Sequence, residues 1–231
     1  MAPVYPSDRE ARLAILDTGR RIYERGFVAA NDGNLSVKVS ENAVWATPTG
    51  VSKGSMTEDM LVKLDLDGNV LEGSRRPSSE IKMHLRIYRE DPSVGGVAHA
   101  HPPFSTTYAA AGLPLDQALI QETVVLLGTV PVAPYAAPGS AQLAESVAPF
   151  CRTHSALLLE HHGLVTWGKS LEQAYFFLES AEGLARVMLY TKQLGAQHLL
   201  TESQIDGLIA LRPSWGLDIA RGGRPKGRPD A

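Results

Sequence analysis

The chain has 231 residues, a formal net charge of −3 and a single cysteine. Apolar residues make up 44% and charged residues 20%, the balance of a globular protein with a sizeable core in one large domain. The mild acidity argues against a nucleic-acid partner, and one thiol excludes an internal disulfide. No apolar run approaches the roughly 18 residues that cross a bilayer, which argues against a membrane partner. The opening MAPVYPSDREARL lacks the basic-then-apolar order of a signal peptide, so a cytoplasmic protein is expected.

Leu13, Ile15, Leu16, Ile22 and Tyr23 recur near helical spacing between Arg9 and Phe27. Turn chemistry follows at Ala29 to Asn34, then a period-two strand from Leu35 and a second short strand, Ala43 to Thr47. Met60 to Leu66 alternates again, and Asp67-Gly68 offers a hairpin turn. Ser78 or Ser79 is expected to cap a helix reaching Arg89. Ser93 to His101 reads as a strand closed by two prolines, with a helix from Phe104 to Ala111 beyond it. The apolar, β-branched run Val124 to Val132 reads as a buried strand, and Ala141 to Phe150 as a helix. Ala156 to Gly168 reads as two strands meeting at a glycine turn. Ser170 to Gly195 is the longest helix, and Ser203 to Leu211 the last. Several strands lie too close in sequence for parallel crossovers, so a mixed or antiparallel sheet covered by helices is expected. The domain is expected over residues 1–218. Residues 219–231, basic and rich in Gly and Pro, read as a disordered tail.

Four segments carry chemistry. In His99-Ala-His101, residues two apart on a strand face the same way, so both imidazoles can reach one ion. In Glu160-His161-His162-Gly163 successive strand residues face opposite ways, so one histidine of the pair points into a site. In Arg76-Pro-Ser78-Ser79-Glu80 a carboxylate and two hydroxyls sit at a helix start, where the dipole and free N–H groups favour anions. His84 follows Glu80 by one helical turn, as a further ligand or as support behind the site. The turn segments Gly33-Asn34-Leu-Ser36 and Thr47-Pro-Thr49-Gly50-Val-Ser-Lys53 can cradle a phosphate with backbone N–H groups. Neutral nitrogens with one carboxylate suit Zn²⁺, with Mn²⁺, Co²⁺ or Fe²⁺ as alternatives.

GNLS, TPTG, RPSSE with a histidine four residues on, HAHPP, PVAPYAAPGS and HHGLVTWG, in this order, resemble the class II aldolase/adducin-head family. The resemblance implies an α/β fold in three layers, α/β/α, with a central, mostly antiparallel sheet flanked by helices. It implies a homotetramer with active sites at subunit interfaces. By this resemblance His99, His101 and His162 are zinc ligands, and Glu80 is both metal neighbour and catalytic acid/base. Asn34, Thr49, Gly50, Ser78 and Ser79 fall at positions that hold a substrate phosphate. The implied activity is a zinc-dependent aldolase that cleaves a small ketose 1-phosphate to dihydroxyacetone phosphate and an aldehyde. An epimerase, dehydratase or decarboxylase of the same family, and a non-catalytic adducin-like module, are the alternatives. The module would have lost its ligands, whereas all four are present here. A metal-dependent hydrolase is a further class. The family's aldolases carry a tyrosine after the HAHPP-linked helix. Here that stretch is Leu119-Ile-Gln-Glu122-Thr; other members of the family place a glutamate near this point, so the resemblance makes Glu122 the candidate second acid/base, with Tyr108 and Tyr135 as rivals. Trp215 stands where the family has a further tyrosine.

Overall fold

The computed structural model describes residues 4–230. Helix α1 spans Asp8–Glu24 and starts with a reciprocal cap: the Ser7 hydroxyl accepts from the Glu10 N–H, and the Glu10 carboxylate accepts from the Ser7 N–H. Strands β1 (Asn34–Ser40), β2 (Ala43–Ala46), β3 (Val62–Asp65) and β4 (Val70–Glu72) follow as a meander. Then come α2 (Ile81–Glu90), β5 (Gly96–Ala100), α3 (Pro103–Ala110), α4 (Gln121–Leu126), β6 (Val132–Ala133) and α5 (Ala141–Val147). The chain closes with β7 (Ala156–Leu159), β8 (Gly163–Gly168), α6 (Leu171–Gln193) and α7 (Glu202–Ile209). The strands form one sheet in the order β4-β3-β2-β1-β5-β8-β7-β6. Every pairing is antiparallel except β6 with β7.

Alternation along the central strands builds two cores. Leu35 and Val37 of β1, Ala98 and Ala100 of β5 and Leu164 of β8 face α1, α3 and α6. Val97, Val165, Trp167, Leu157 and Leu159 face α2 and α5. This is the expected three-layer α/β/α arrangement. On the α2 side the polar residues gather at one end: Asn34 of β1 and His99 of β5 are register partners. The described residues contain no helix long and apolar enough to cross a membrane.

Three expectations need correction. Val124 to Val132 is not one strand, since Val124 and Val125 lie in α4 and the two-residue β6 begins only at Val132. A short apolar run has no period that separates helix from strand, and tertiary packing decides it. Helix α2 has Glu80, not a serine, at its N-cap, while Ser78 accepts from the Glu80 N–H. Residues 219–230 are not a free tail. Gly222 accepts from the Thr129 N–H, and Lys226 and Arg228 donate to Asp116 and Leu200. Arg221 pairs with Asp91, and Arg224 with Glu202 and Asp206. The buried Arg212 guanidinium ties this strap to α4, donating to Val124, Val125 and Gly223 carbonyls.

Candidate metal centre and anion cleft

His99 enters the site from the penultimate position of β5, on the same face as Val97. His101 lies just past the strand end, where its N–H donates to the Phe27 carbonyl. His162 lies in the tight turn between β7 and β8. His161 takes a left-handed conformation there, with φ of 57°, which turns its ring away toward Tyr135. Thus His162 is the inward member of the pair, and a turn rather than strand alternation selects it. Gly163 is required beside it, because a Cβ would lie 2.6 Å from both the Ala100 carbonyl and the His101 ring. Glu80 reaches in from the start of α2.

The three imidazoles meet with ring centroids 4.7–5.0 Å apart. One ligand atom from each lies within 4.8 Å of the others. Glu80 Oε2 is 3.3 Å from His99 Nε2, and Oε1 is 3.1 Å from His162 Nε2. The Asn34 amide donates to Glu80 Oε2 at 2.8 Å. His99 Nδ1 faces the Leu164 carbonyl at 3.0 Å. A carbonyl only accepts, so the neutral ring carries its proton on Nδ1 and offers a lone pair at Nε2. His101 Nδ1 faces the Asp32 carboxylate at 3.3 Å, which fixes the same tautomer. The two Nε2 atoms then face each other 3.2 Å apart as lone pairs. Two lone pairs with a carboxylate beside them repel without a cation, so the donor set fits a divalent metal ion.

The protonation equilibria agree. Burial pushes His99 well below its ordinary value, and the neighbouring imidazoles add to this. Burial also lowers His101. Burial opposes ionisation of Glu80, but attraction to the His99 and His162 rings in their protonated form and the Asn34 amide outweigh it and hold the carboxyl below the usual carboxylate range. Rings and carboxylate therefore compete for the same positive charge, which a divalent ion at the imidazoles would supply while leaving their lone pairs free.

Beside it opens a polar cleft of about 290 Å³. Asn34, Thr49, Gly50, Ser78 and Ser79, the expected phosphate positions, all line it with Glu80, His101 and His162. The bridge between Pro48 and Pro77 holds the two loops together, since Thr49 donates to Arg76 and Ser78 to Thr47. The Asn34 amide nitrogen is committed to Glu80, so Asn34 serves the carboxylate as well as the cleft. Glu122 and Tyr135 are exposed, Tyr108 is buried, and none of them lines this cleft. Sequence reasoning gave Asp32 no role behind His101, and it placed Lys53 at the end of a cleft segment without marking it as buried. The Lys53 ammonium is buried and donates to the Asn31 and Val51 carbonyls, joining both cleft loops from behind. No motif marks a lysine as buried.

The sheet order, the helix layers and this cluster define the class II aldolase type of α/β fold. Residues 13–189 match the Class II Aldolase and Adducin N-terminal domain, and the chain belongs to that family. A 3-oxo-tetronate 4-phosphate decarboxylase from Pectobacterium atrosepticum is 34% identical over 79% of this chain and 85% of its own length. A 5-deoxy-D-ribulose 1-phosphate aldolase from Bacillus thuringiensis serovar kurstaki is 31% identical over 90% of this chain and 98% of its own. Among solved structures, an L-fuculose 1-phosphate aldolase shares the fold with a TM-score of 0.83 and 27% identity, covering 94% of this chain and all of that one.

Proposed function

We propose that this chain is a cytoplasmic, metal-dependent aldolase that cleaves a small ketose 1-phosphate to dihydroxyacetone phosphate and an aldehyde. The observation that carries this reading is the position of Glu80: a carboxylate between His99 and His162, at the wall of a polar cleft. A divalent ion held by His99, His101 and His162, with Glu80 beside it, supplies Lewis-acid stabilisation to the charge that develops on the substrate oxygens. Zinc suits three imidazoles best.

Around that group the residues divide the work. Thr49, Gly50, Ser78 and Ser79 anchor the phosphate, and Asn34 orients Glu80. Binding energy from the remote phosphate then positions the reacting carbons. When the carbon–carbon bond breaks, its electron pair stays with the keto fragment, and Glu80 delivers the proton to that carbon. The hydroxyl that becomes the aldehyde must lose its proton to a second group. Glu122 is the candidate, reaching a neighbouring chain's cleft in a homotetramer.

One observation favours a second reading, a decarboxylase. Among the described residues the cleft contains neither a tyrosine nor Glu122. Loss of CO₂ from a phosphorylated 3-oxo acid leaves the same kind of keto fragment and needs no base at a departing hydroxyl. The test is a product assay with a panel of ketose 1-phosphates, of aldehydes plus dihydroxyacetone phosphate, and of phosphorylated 3-oxo acids. Aldehyde release is the expected result, CO₂ release alone moves the assignment to the decarboxylase, and inertness toward every phosphorylated substrate overturns both.

A further inference from the structure

Asn34 and Ser36 are two apart on β1 and face α2, while Glu80 and His84 are four apart at the start of α2. Their side chains meet as two rungs. In the first, the Asn34 amide donates to Glu80 Oε2 at 2.8 Å. In the second, Ser36 Oγ lies 2.7 Å from His84 Nδ1 and 2.9 Å from the Tyr88 hydroxyl. All five residues are buried, and His84 is fully so.

Counting protons fixes the direction of the second rung. If His84 donated from Nδ1 to Ser36, the serine hydroxyl would turn to Tyr88. The phenol proton would then have no acceptor among the described residues. If Tyr88 donates to Ser36 and Ser36 donates to Nδ1, both hydroxyl protons are accepted, and the imidazole proton sits on Nε2. Each arrangement leaves one buried donor, at a cost of about 1–3 kcal/mol, the phenol in the first and Nε2–H in the second; only Nε2–H has an unpartnered acceptor with which to share a water, Asn34 Oδ1, so the second arrangement prevails. Two buried polar atoms on these rungs have no partner: His84 Nε2 and Asn34 Oδ1. In this tautomer the first is a donor and the second an acceptor. They make no hydrogen bond to each other, and a water reaching both would accept from the first and donate to the second.

We propose that one buried water accepts from the His84 Nε2–H and donates to Asn34 Oδ1, making His84 a positioning residue for Glu80. The water holds the Asn34 amide with its oxygen away from Glu80. A flipped amide would present that oxygen to the carboxylate and displace it. The consequence for turnover rests on the reading of Glu80 as the proton carrier, whereas the tautomer and the water do not.

The experiment is long-range proton–nitrogen NMR of the histidine rings in the zinc-loaded protein, with the His84 signals assigned by their loss in His84→Gln. The expected result is an Nε2–H tautomer for His84 with a slowly exchanging ring proton, and a mixture of tautomers in Ser36→Ala. Ser36→Ala should lower the rate of proton exchange at the substrate carbon about 10-fold with KM unchanged, the scale of lost outer-shell partners. Tyr88→Phe leaves the Ser36-to-His84 bond in place and should keep both tautomer and rate. His84→Gln, whose amide nitrogen can stand in for Nε2, should retain more activity than His84→Leu. An Nδ1–H tautomer in the wild-type protein overturns the proposal, as does a wild-type exchange rate in Ser36→Ala. If the wild-type protein exchanges no substrate proton at all, the reading of Glu80 fails, and the ring tautomer still decides the case of His84.

Discussion

At one end of the sheet, Glu80 touches His99, His162 and Asn34, and His99 and His101 are each held from behind by a fixed acceptor. Glu122, on the six-residue α4, has no hydrogen bond or ion pair with any described residue and faces solvent. Both are carboxylates at helix starts, yet only one is built into a network. A catalytic group works when its orientation is fixed before substrate arrives. The Glu80 cluster meets that condition within one chain, whereas Glu122 can meet it only when another surface closes over α4.

The largest effect should come from removing a nitrogen from the cluster. Protein purified without chelator should contain a full equivalent of divalent metal, and His101→Ala should lose it along with all turnover. Elemental analysis decides this, and a variant that keeps its metal would remove His101 from the ligand set. Glu80→Gln keeps shape but cannot ionise. It should stay folded and metal-loaded while turnover falls about 10²–10⁴-fold, the usual scale for a lost general acid–base. Near-normal turnover would show that the carboxylate is structural only.

A smaller and more selective effect is expected at the other carboxylate. Glu122→Gln should lose about 10²-fold in cleavage, while proton exchange at the dihydroxyacetone phosphate carbon, which needs only Glu80 and the metal, survives. Tyr108→Phe and Tyr135→Phe are the comparisons. If one of these shows the split and Glu122→Gln does not, the role passes to that tyrosine. If none does, cleavage needs no second group of this chain, as decarboxylation would require.

The sequence made the first region far more legible than the second. His-x-His on a strand is a geometric statement, because period two alone puts both rings on one face. Strand alternation left His161 and His162 open and only the resemblance chose between them; the physical reason is the turn, where a left-handed φ at His161 sets the directions. Asp32 was invisible as the partner of His101 because no local pattern links a turn carboxylate to a distant strand end. Around α4 the local signals were weaker still. An apolar run that short reads equally as strand or helix. Its actual anchors, the buried Arg212 and the strap from residue 219, act by long-range contacts that composition does not encode. The strap's basic residues suggested solvent, but each of Arg221 and Arg224 has an acidic partner in the body.

The smallest effect concerns how the cleft loops of the first region are held. Lys53 is buried behind them and donates to the Asn31 and Val51 carbonyls. Desolvation lowers its pKa from 10.5 to about 8, with the Asp32 charge opposing the shift. Here the folded-state value lies below the unfolded one, so between about pH 8 and 10.5 the unfolded chain binds the proton more readily than the native one. Stability from this group therefore rises with pH across that window, and the cost of burying the charge is fully present below it. Lys53→Met has no such proton. The difference between wild type and variant in unfolding free energy, from urea titrations, should shift by roughly 1–3 kcal/mol in favour of wild type as pH rises from 8 toward 10.5, since each pKa unit is worth about 1.4 kcal/mol. Other titrating groups cancel in that difference. Parallel curves for the two proteins would mean that Lys53 titrates normally and that the loops open enough to solvate it. In that case the cleft would be less rigidly formed than the Glu80 cluster beside it.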